Sequence, residues 1–361
     1  MKRFVFGAVA AFLAAALCVP CSAQAVSAQK AVVLDGVTGR ILFARNPDER
    51  SLIASTTKIM TALVVCEQCN VLDRVRIPAQ AVGIEGSSMY LQAGEVLTVQ
   101  ELLYGMMLHS GNDAAAALAI YCGGTLEGFA ELMNDKARVL GLKNTHFVNP
   151  HGLDAPEHYS TAKDLALLTS YAMQNPIFSM TVSARTVRIG QRHLTNHNKL
   201  LWRLDGANGV KTGYTKAAGR ILVSGACRDG RQLICVTINA PDDWNDHTAL
   251  LEDAFTRFSP RTLVKEGDCL GVVELAGGEK VRVPLLAAES FDYAMAEGEE
   301  VRLRLPGSGF AYAPVERGQS AGIAHIFVDD CCVGAVEMVY GETAEQLQPQ
   351  KKSFWQRMFG G

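Results

Sequence analysis

Residues 219–240, GRILVSGACRDGRQLICVTINA, constrain the fold more than any other stretch. They read as two apolar β runs around Asp229-Gly230, the strongest short-range hairpin signal a sequence carries. A second strand pair is expected far upstream, at 31–44 (AVVLD-GVTG-RILFA), around a glycine-containing turn. Between the two pairs lies a block of helix signals. STTKIMTALVVCEQ (55–68) has few polar positions, so the helix it forms should be largely buried. TVQELLYGMML (98–108) opens with Thr98 and Glu101 at capping-box spacing and should stop at HSGN (109–112). DAAAALAIYC (113–122) ends at Gly123-Gly124, and LEGFAELMNDKARVL (126–140) ends at Gly141, a favoured C-terminal cap. TAKDLALLTSYAMQ (161–174) ends just before Asn175-Pro176, and NDHTALLEDAFTRF (245–258) follows the hairpin as a last helix. Strands, then helices, then strands and a helix imply an α+β domain: an antiparallel sheet with helices on both faces and an inserted helical lobe.

From about Ser259 the texture changes. Short apolar runs (CLGVVELA, KVRVPLLA, EVRLRLP, AHIFVDD) alternate with Gly, Glu and Pro turns, which predicts a small all-β domain over 259–342. Residues 343–361 then read as a polar linker and a short tail. In that tail Phe354, Trp355, Met358 and Phe359 share one helical face, with Lys351, Lys352 and Arg357 beside them, a pattern suited to peripheral contact with an anionic membrane. The first 25 residues, MKRFVFGAVAAFLAAALCVPCSAQA, have two basic residues, an apolar run and Ala-Gln-Ala, the layout of a secretory signal peptide. The expected catalytic region is therefore 29–258, outside the cytoplasmic membrane. A net charge of -3 argues against nucleic-acid binding. Ten cysteines occur, and export permits disulfides, but their spacing specifies none. Cys66-x-x-Cys69 has no second pair at zinc-site spacing, and no His/Cys/Asp cluster has catalytic metal spacing, so no cofactor is expected.

The chemistry begins with Ser55 and Lys58. Positions i and i+3 share a helix face, so a hydroxyl and an amine can converge there. A serine needs a neighbouring base to become a nucleophile, and lysine is a base only where its neutral form is favoured. Ser-x-x-Lys alone is common by chance, and a lone Ser55 would read as a helix N-cap. Two further stretches change that reading. HSGND places Ser110 and Asn112 at a break between helices. NGVKTGYT places Lys211-Thr212-Gly213 just before the hairpin, which suits an edge strand, and Gly213 permits close approach of another backbone or a ligand. Ser-x-x-Lys, Ser-x-Asn and Lys-Thr-Gly, in this order, are a motif set shared by penicillin-binding proteins and class A β-lactamases. His109 and His151, at a helix break and a turn, read as hydrogen-bonded structural residues.

With those motifs the chain resembles the D-alanyl-D-alanine carboxypeptidases, low-molecular-mass penicillin-binding proteins of serine peptidase family S11 that include the DacF-like enzymes. The likeness extends to GSSMYLQAGEVLTVQELLYGMMLHSGNDAA (86–115), FVNPHGLD (147–154), YSTAKDLALL (159–168) and GVKTGYTKAAGRILVSGA (209–226). The resemblance implies a penicillin-binding/β-lactamase-like fold and the removal of terminal D-alanine from peptidoglycan stem peptides through an acyl-enzyme on Ser55. It implies Lys58 as base, Ser110 as proton relay, and Asn112, Lys211, Thr212 and Gly213 as substrate-binding residues. The backbone amides of Ser55 and Tyr214 would form the oxyanion hole, and β-lactams would be covalent inhibitors. The same site would also serve a slow-turnover penicillin-binding wall sensor or a DD-endopeptidase. Ser-Gly-Asn in place of Ser-Asp-Asn resembles the carboxypeptidases rather than class A β-lactamases. His197 stands where relatives often carry arginine, and NAPDDWNDH (239–247) lacks an arginine that some relatives place near the substrate carboxylate.

Overall fold

The structure is a computed structural model, and it describes residues 26–307 and 309–348. These fall into two compact units that divide after Phe258. The first holds β1 (Lys30–Asp35), β2 (Ile41–Arg45), α1 (Lys58–Gln68), β3 (Arg74–Arg76), β4 (Val96–Thr98), α2 (Val99–Leu108), α3 (Asn112–Gly123) and α4 (Leu126–Val139). It continues with α5 (Ala162–Met173), α6 (Pro176–Ser183), β5 (Thr186–Ile189), β6 (Arg192–Thr195), α7 (Leu200–Arg203), β7 (Ala207–Thr215), β8 (Gly219–Arg228), β9 (Arg231–Ile238) and α8 (Asp243–Arg257).

Its main sheet is antiparallel, in the order β2-β1-β9-β8-β7. The β8–β9 hairpin turns through Asp229 (φ 49°) and Gly230 (φ 79°), both left-handed. Two positive φ values in a two-residue loop match the twist of the flanking strands. Central strands β8 and β9 are buried almost without interruption because both faces are covered. Val223 lies opposite Val236 and joins the core of the helical lobe. Ser224 and Thr237, on the alternate face, reach His247 of α8 instead, at 2.5 and 2.9 Å. Period-2 alternation thus divides one hairpin between two cores. β7 is an edge strand, as its motif predicts, and it packs against the short 310 turn Ala54–Thr57 that precedes α1.

The helical block is inserted between β2 and β7. α1 is buried from Lys58 to Val65 and packs against α2, α3, α4, α5 and α6. The expected capping box is present: Glu101 N donates to Thr98 Oγ1 (3.1 Å) and Thr98 N donates to Glu101 Oε2 (2.7 Å). Expected helix limits hold to within two residues except at the start of α1, where 55–57 belong to the preceding 310 turn and the α-helix begins at Lys58. Asn175-Pro176 does more than end α5. The Asn175 side chain accepts from Ile177 N and Phe178 N and so caps α6, with proline at its first turn, a helix the periodicity alone did not reveal.

The second unit is all β. It holds β10 (Phe258–Val264), β11 (Cys269–Ala276), β12 (Arg282–Ala287), β13 (Phe291–Ala296), β14 (Val301–Arg304), β15 (Phe310–Tyr312), β16 (Ser320–Val328) and β17 (Cys331–Tyr340). Six strands form a sheet in the order β14-β16-β17-β12-β11-β15, and β10 pairs β13. Val283, Ala324, Ile326, Val336 and Met338 build a core of its own. Among the described residues no helix is long and apolar enough to cross a membrane. The signal-peptide reading of 1–25 and the membrane reading of the 351–359 tail fall outside the described residues.

Candidate active site

Ser55 sits in the 310 turn Ala54–Thr57, which runs directly into α1 at Lys58. The turn is held tightly. Thr56 donates to the Ile53 carbonyl through both N (3.1 Å) and Oγ1 (2.5 Å), and Thr57 Oγ1 bonds His158 Nε2 at 2.7 Å. Ala54 has φ 44°, a left-handed conformation that a side chain tolerates only when its surroundings enforce it. Gly152 lies directly against this turn: a Cβ there would stand 1.9 Å from the Ala54 carbonyl oxygen. Only glycine lets the 149–153 loop approach so closely, at its own φ of 90°.

Lys58 is fully buried, yet its Nζ meets three oxygens: Asn112 Oδ1 at 2.6 Å, the His151 carbonyl at 2.7 Å and Ser55 Oγ at 3.1 Å. Burial holds the pKa of this amine well below its usual value. The nearby Lys211 charge lowers it further, and Asp113 opposes both. A neutral amine has two N–H donors and one lone pair. The two carbonyl oxygens can only accept, so they take the two N–H bonds. The lone pair is then left for the Ser55 hydroxyl, which donates to it. Such an arrangement suits proton transfer from that hydroxyl to the amine.

Ser110 and Asn112 come from the junction of α2 and α3. Ser110 lies in the break with φ 64°, while Asn112 is the first residue of α3. Asn112 is fixed from three sides: its N donates to the Ser87 carbonyl (2.7 Å), its Nδ2 to the Glu85 carbonyl, and its Oδ1 accepts from Lys58. The 85–91 loop is held in turn by Asp113, whose carboxylate accepts from Ser88 Oγ, Met89 N and Leu91 N.

Lys211 lies on β7, is buried, and donates from Nζ to Ser110 Oγ (3.1 Å) and to the Thr212 carbonyl (2.9 Å). Burial lowers its pKa to about 7. Gly213 meets the 310 turn that holds Ser55: a Cβ there would be 3.3 Å from the Ile53 carbonyl, Ala54 Cβ and Thr56 Cγ2. This contact brings the main chain at 213–214 beside Ser55, and the Tyr214 side chain points outward, 65% exposed. His197 holds the α2 end through its N–H to the Leu108 carbonyl (3.2 Å), with its ring 5.2 Å from that of His109. Burial, then the charges of Lys211 and His109, lower its pKa to about 4, so it is neutral at pH 7.

Four widely spaced stretches of sequence therefore meet in one place. Two contributors carried no motif. His151 serves through its main-chain carbonyl, which no side-chain pattern reports. Asp113 holds the 85–91 loop rather than the reacting groups, and its position directly after Asn112 was its sole signal. Among the described residues no group of three or more His, Cys, Asp or Glu could hold a metal ion.

Comparison with known proteins agrees with this geometry. The D-alanyl-D-alanine carboxypeptidase model of the Peptidase_S11 family matches residues 18–242, and the model for the C-terminal domain of penicillin-binding protein 5 matches 258–346. The chain is 34% identical to the D-alanyl-D-alanine carboxypeptidase DacF of Bacillus subtilis, covering 83% of this chain and 82% of DacF. It is also 34% identical to DacC of Escherichia coli, over 83% of this chain and 80% of that one. The crystal structure of penicillin-binding protein 5 from Haemophilus influenzae superposes with a TM-score of 0.79 at 29% identity, covering 90% of this chain and 100% of the other. The half-buried Ser55 with its buried partner Lys58, the Ser-Gly-Asn break and the Lys-Thr-Gly edge strand thus stand in a chain that belongs to the S11 family of D-alanyl-D-alanine carboxypeptidases.

Proposed function

We propose that residues 29–258 form a serine DD-carboxypeptidase domain that acts outside the cytoplasmic membrane on the D-Ala-D-Ala end of peptidoglycan pentapeptides. The observation that carries this reading is the buried, low-pKa Lys58 amine, 3.1 Å from Ser55 Oγ and capped by two carbonyl acceptors. Ser55 Oγ attacks the carbonyl carbon of the penultimate D-alanine while its proton passes to Lys58 Nζ. The backbone N–H groups of Ser55 and Tyr214 hold the developing oxyanion, where loss of one donor costs about 3–4 kcal/mol. Lys211 and Thr212 bind the terminal carboxylate, and Asn112 the peptide amide. Lys58 passes that proton by way of Ser110, which Lys211 holds, to the departing D-alanine nitrogen, and the Lys58 amine is neutral again. Water, deprotonated by Lys58, then cleaves the acyl-enzyme ester. A β-lactam follows the first half of this path and stays attached as a slow ester.

Residues 1–25 fit an export signal. Residues 259–342 form a separate β domain, and 343–361 a linker and tail suited to peripheral membrane contact. Fluorescent penicillin followed by peptide mass mapping tests the site: the label is expected on Ser55 and absent from Ser55→Ala. Label retained by Ser55→Ala overturns the assignment. Release of D-alanine from a pentapeptide distinguishes the enzyme from a wall sensor that acylates without turnover.

A further inference from the structure

His158 belongs to none of the motifs, yet it stands between two segments of the active site. The residues after it pair with both. Tyr159 exchanges main-chain hydrogen bonds with His146 (2.9 and 3.0 Å), and Ser160 does the same with Ser51 (2.8 and 3.1 Å). Residue 51 leads into the Ala54–Thr57 turn, and residue 146 leads into the 149–153 loop. The His158 side chain repeats this link next to the site. It is fully buried, its Nε2 lies 2.7 Å from Thr57 Oγ1, and its Nδ1 accepts from Val148 N at 3.1 Å.

Both anchors lead to the reacting groups. Thr57 lies between Ser55 and Lys58 in the chain, and a Cβ on Gly152 would stand 2.8 Å from its hydroxyl, which is therefore closely enclosed. Val148 precedes by three residues His151, whose carbonyl accepts from Lys58 Nζ. The loop between them is tied into one piece: Asn149 Oδ1 accepts from Gly152 N (2.7 Å) and His151 N (3.3 Å), and Asn149 Nδ2 donates to the Leu153 carbonyl (2.9 Å). Thr61 Oγ1 of α1 donates to the Pro150 carbonyl (2.6 Å), so the helix holds this loop from below the site. His158 adds the connection to the turn that carries Ser55.

We propose that His158 is a positioning residue for acylation: its neutral ring, protonated on Nε2, joins Thr57 to Val148 and so sets the Ser55 hydroxyl and the His151 carbonyl at their distances from the Lys58 amine. This role rests on Ser55 being the acylated residue. The Val148 N–H can only donate, so Nδ1 carries the lone pair and the ring proton sits on Nε2, which donates to Thr57 Oγ1. A second ring proton would face the Val148 N–H. Burial, then the charge of His146, lower the ring's pKa to about 4, so the single-proton form holds at pH 7. The turn and the loop touch Lys58 from different directions, and a misplacement of about 1 Å between reacting groups costs about 100-fold in rate.

Two substitutions each keep one of the two contacts. In His158→Asn the side-chain amide reaches the place of Nδ1 and can accept from Val148 N; in His158→Gln it reaches the place of Nε2 and can donate to Thr57 Oγ1. The rate constant for acylation of the full chain by a fluorescent penicillin, scaled to the folded fraction, is expected to fall about 10- to 100-fold in His158→Asn and to be about tenfold higher in His158→Gln than in His158→Asn. Thr57→Val, which removes the acceptor, is expected to match His158→Asn, and Thr57→Ser to restore the rate. The double variant His158→Asn/Thr57→Val should be no slower than either single one, because both remove the same contact. The loss should fall on the acylation step and leave the dissociation constant of the initial complex unchanged. Equal rates in His158→Asn and His158→Gln, or losses that multiply in the double variant, overturn the proposal, as does an Nδ1–H ring for His158 in 15N NMR of the wild type. A wild type that takes no label fails the peptidase reading itself, whereas a labelled wild type with unaffected variants fails only the role of His158.

Discussion

Asn112→Asp tests whether Lys58 works as a neutral base. The substitution is isosteric and sets a carboxylate oxygen where Asn112 Oδ1 now stands, 2.6 Å from Lys58 Nζ. An opposite charge at that range favours the ammonium form and raises a pKa by about 1–3 units. Each unit is worth about 1.4 kcal/mol, so the neutral amine becomes about 1.4–4 kcal/mol harder to populate. Where the rate follows the neutral fraction, acylation near pH 7 should fall by about 10- to 1,000-fold. The assay is the second-order rate constant for a fluorescent penicillin, measured across pH 5–10. The acid limb of that profile should move up by the same 1–3 units, with the rate recovering at alkaline pH. The introduced carboxylate also lacks the donor that Asn112 Nδ2 offers the Glu85 carbonyl, a defect of about 1–3 kcal/mol in stability that a Tm measurement reports separately. A rate loss of the same size at every pH, with the limb unmoved, would refute the neutral-base reasoning.

Other perturbations follow from the same geometry. Lys211→Gln removes the charge proposed to bind the substrate carboxylate, so KM for a D-Ala-D-Ala peptide should rise about 10- to 100-fold, more than kcat falls. It also removes a cation that keeps Lys58 neutral, so the acid limb should shift to higher pH; an unchanged KM refutes this role. Gly152→Ala drives a Cβ into the Ala54 carbonyl and forces an alanine to φ 90°, so it should destabilise the fold by about 2 kcal/mol or more and slow acylation of Ser55. Wild-type Tm and labelling rate would contradict that. His247 is buried, and burial lowers its pKa to about 3. The unfolded chain takes up this proton near pH 6.5 while the folded chain does not. Stability is therefore present above pH 6.5 and lost as pH falls towards 3, at about 1.4 kcal/mol per pH unit for this residue. His247→Gln loses the contacts to Ser224 and Thr237 and should be less stable at pH 7, yet show a shallower acid slope in urea unfolding between pH 6.5 and 5. An identical slope would exclude His247 as a source.

Most of the fold was legible because its signals are local. The Asp229-Gly230 turn, the Thr98/Glu101 capping box and the run of apolar residues in α1 each act within a few residues. The α6 helix and the β5–β6 hairpin were not legible. α6 has only eight residues, and the strands of the hairpin have four each, too short for a period to register. The candidate site was legible as residue types. Ser55, Lys58, Ser110, Asn112 and Lys211 were named from motifs. The structure gathers them into two hydrogen-bonded groups, one around Lys58 and one around Lys211, coupled through the charge of Lys211.

By itself, the sequence determined which groups could react and the elements that carry them, since spacing along a helix or strand dictates which face a side chain takes. It did not determine the state of those groups. The role proposed for Lys58 depends on tertiary packing, which removes water from its amine, sets Lys211 near it, and brings the carbonyl oxygens of Asn112 and His151 to it. Desolvation, a neighbouring charge and a main-chain acceptor are properties of position in space. They arise only when residues some 50 to 150 apart in the chain are packed together, and no local pattern encodes them.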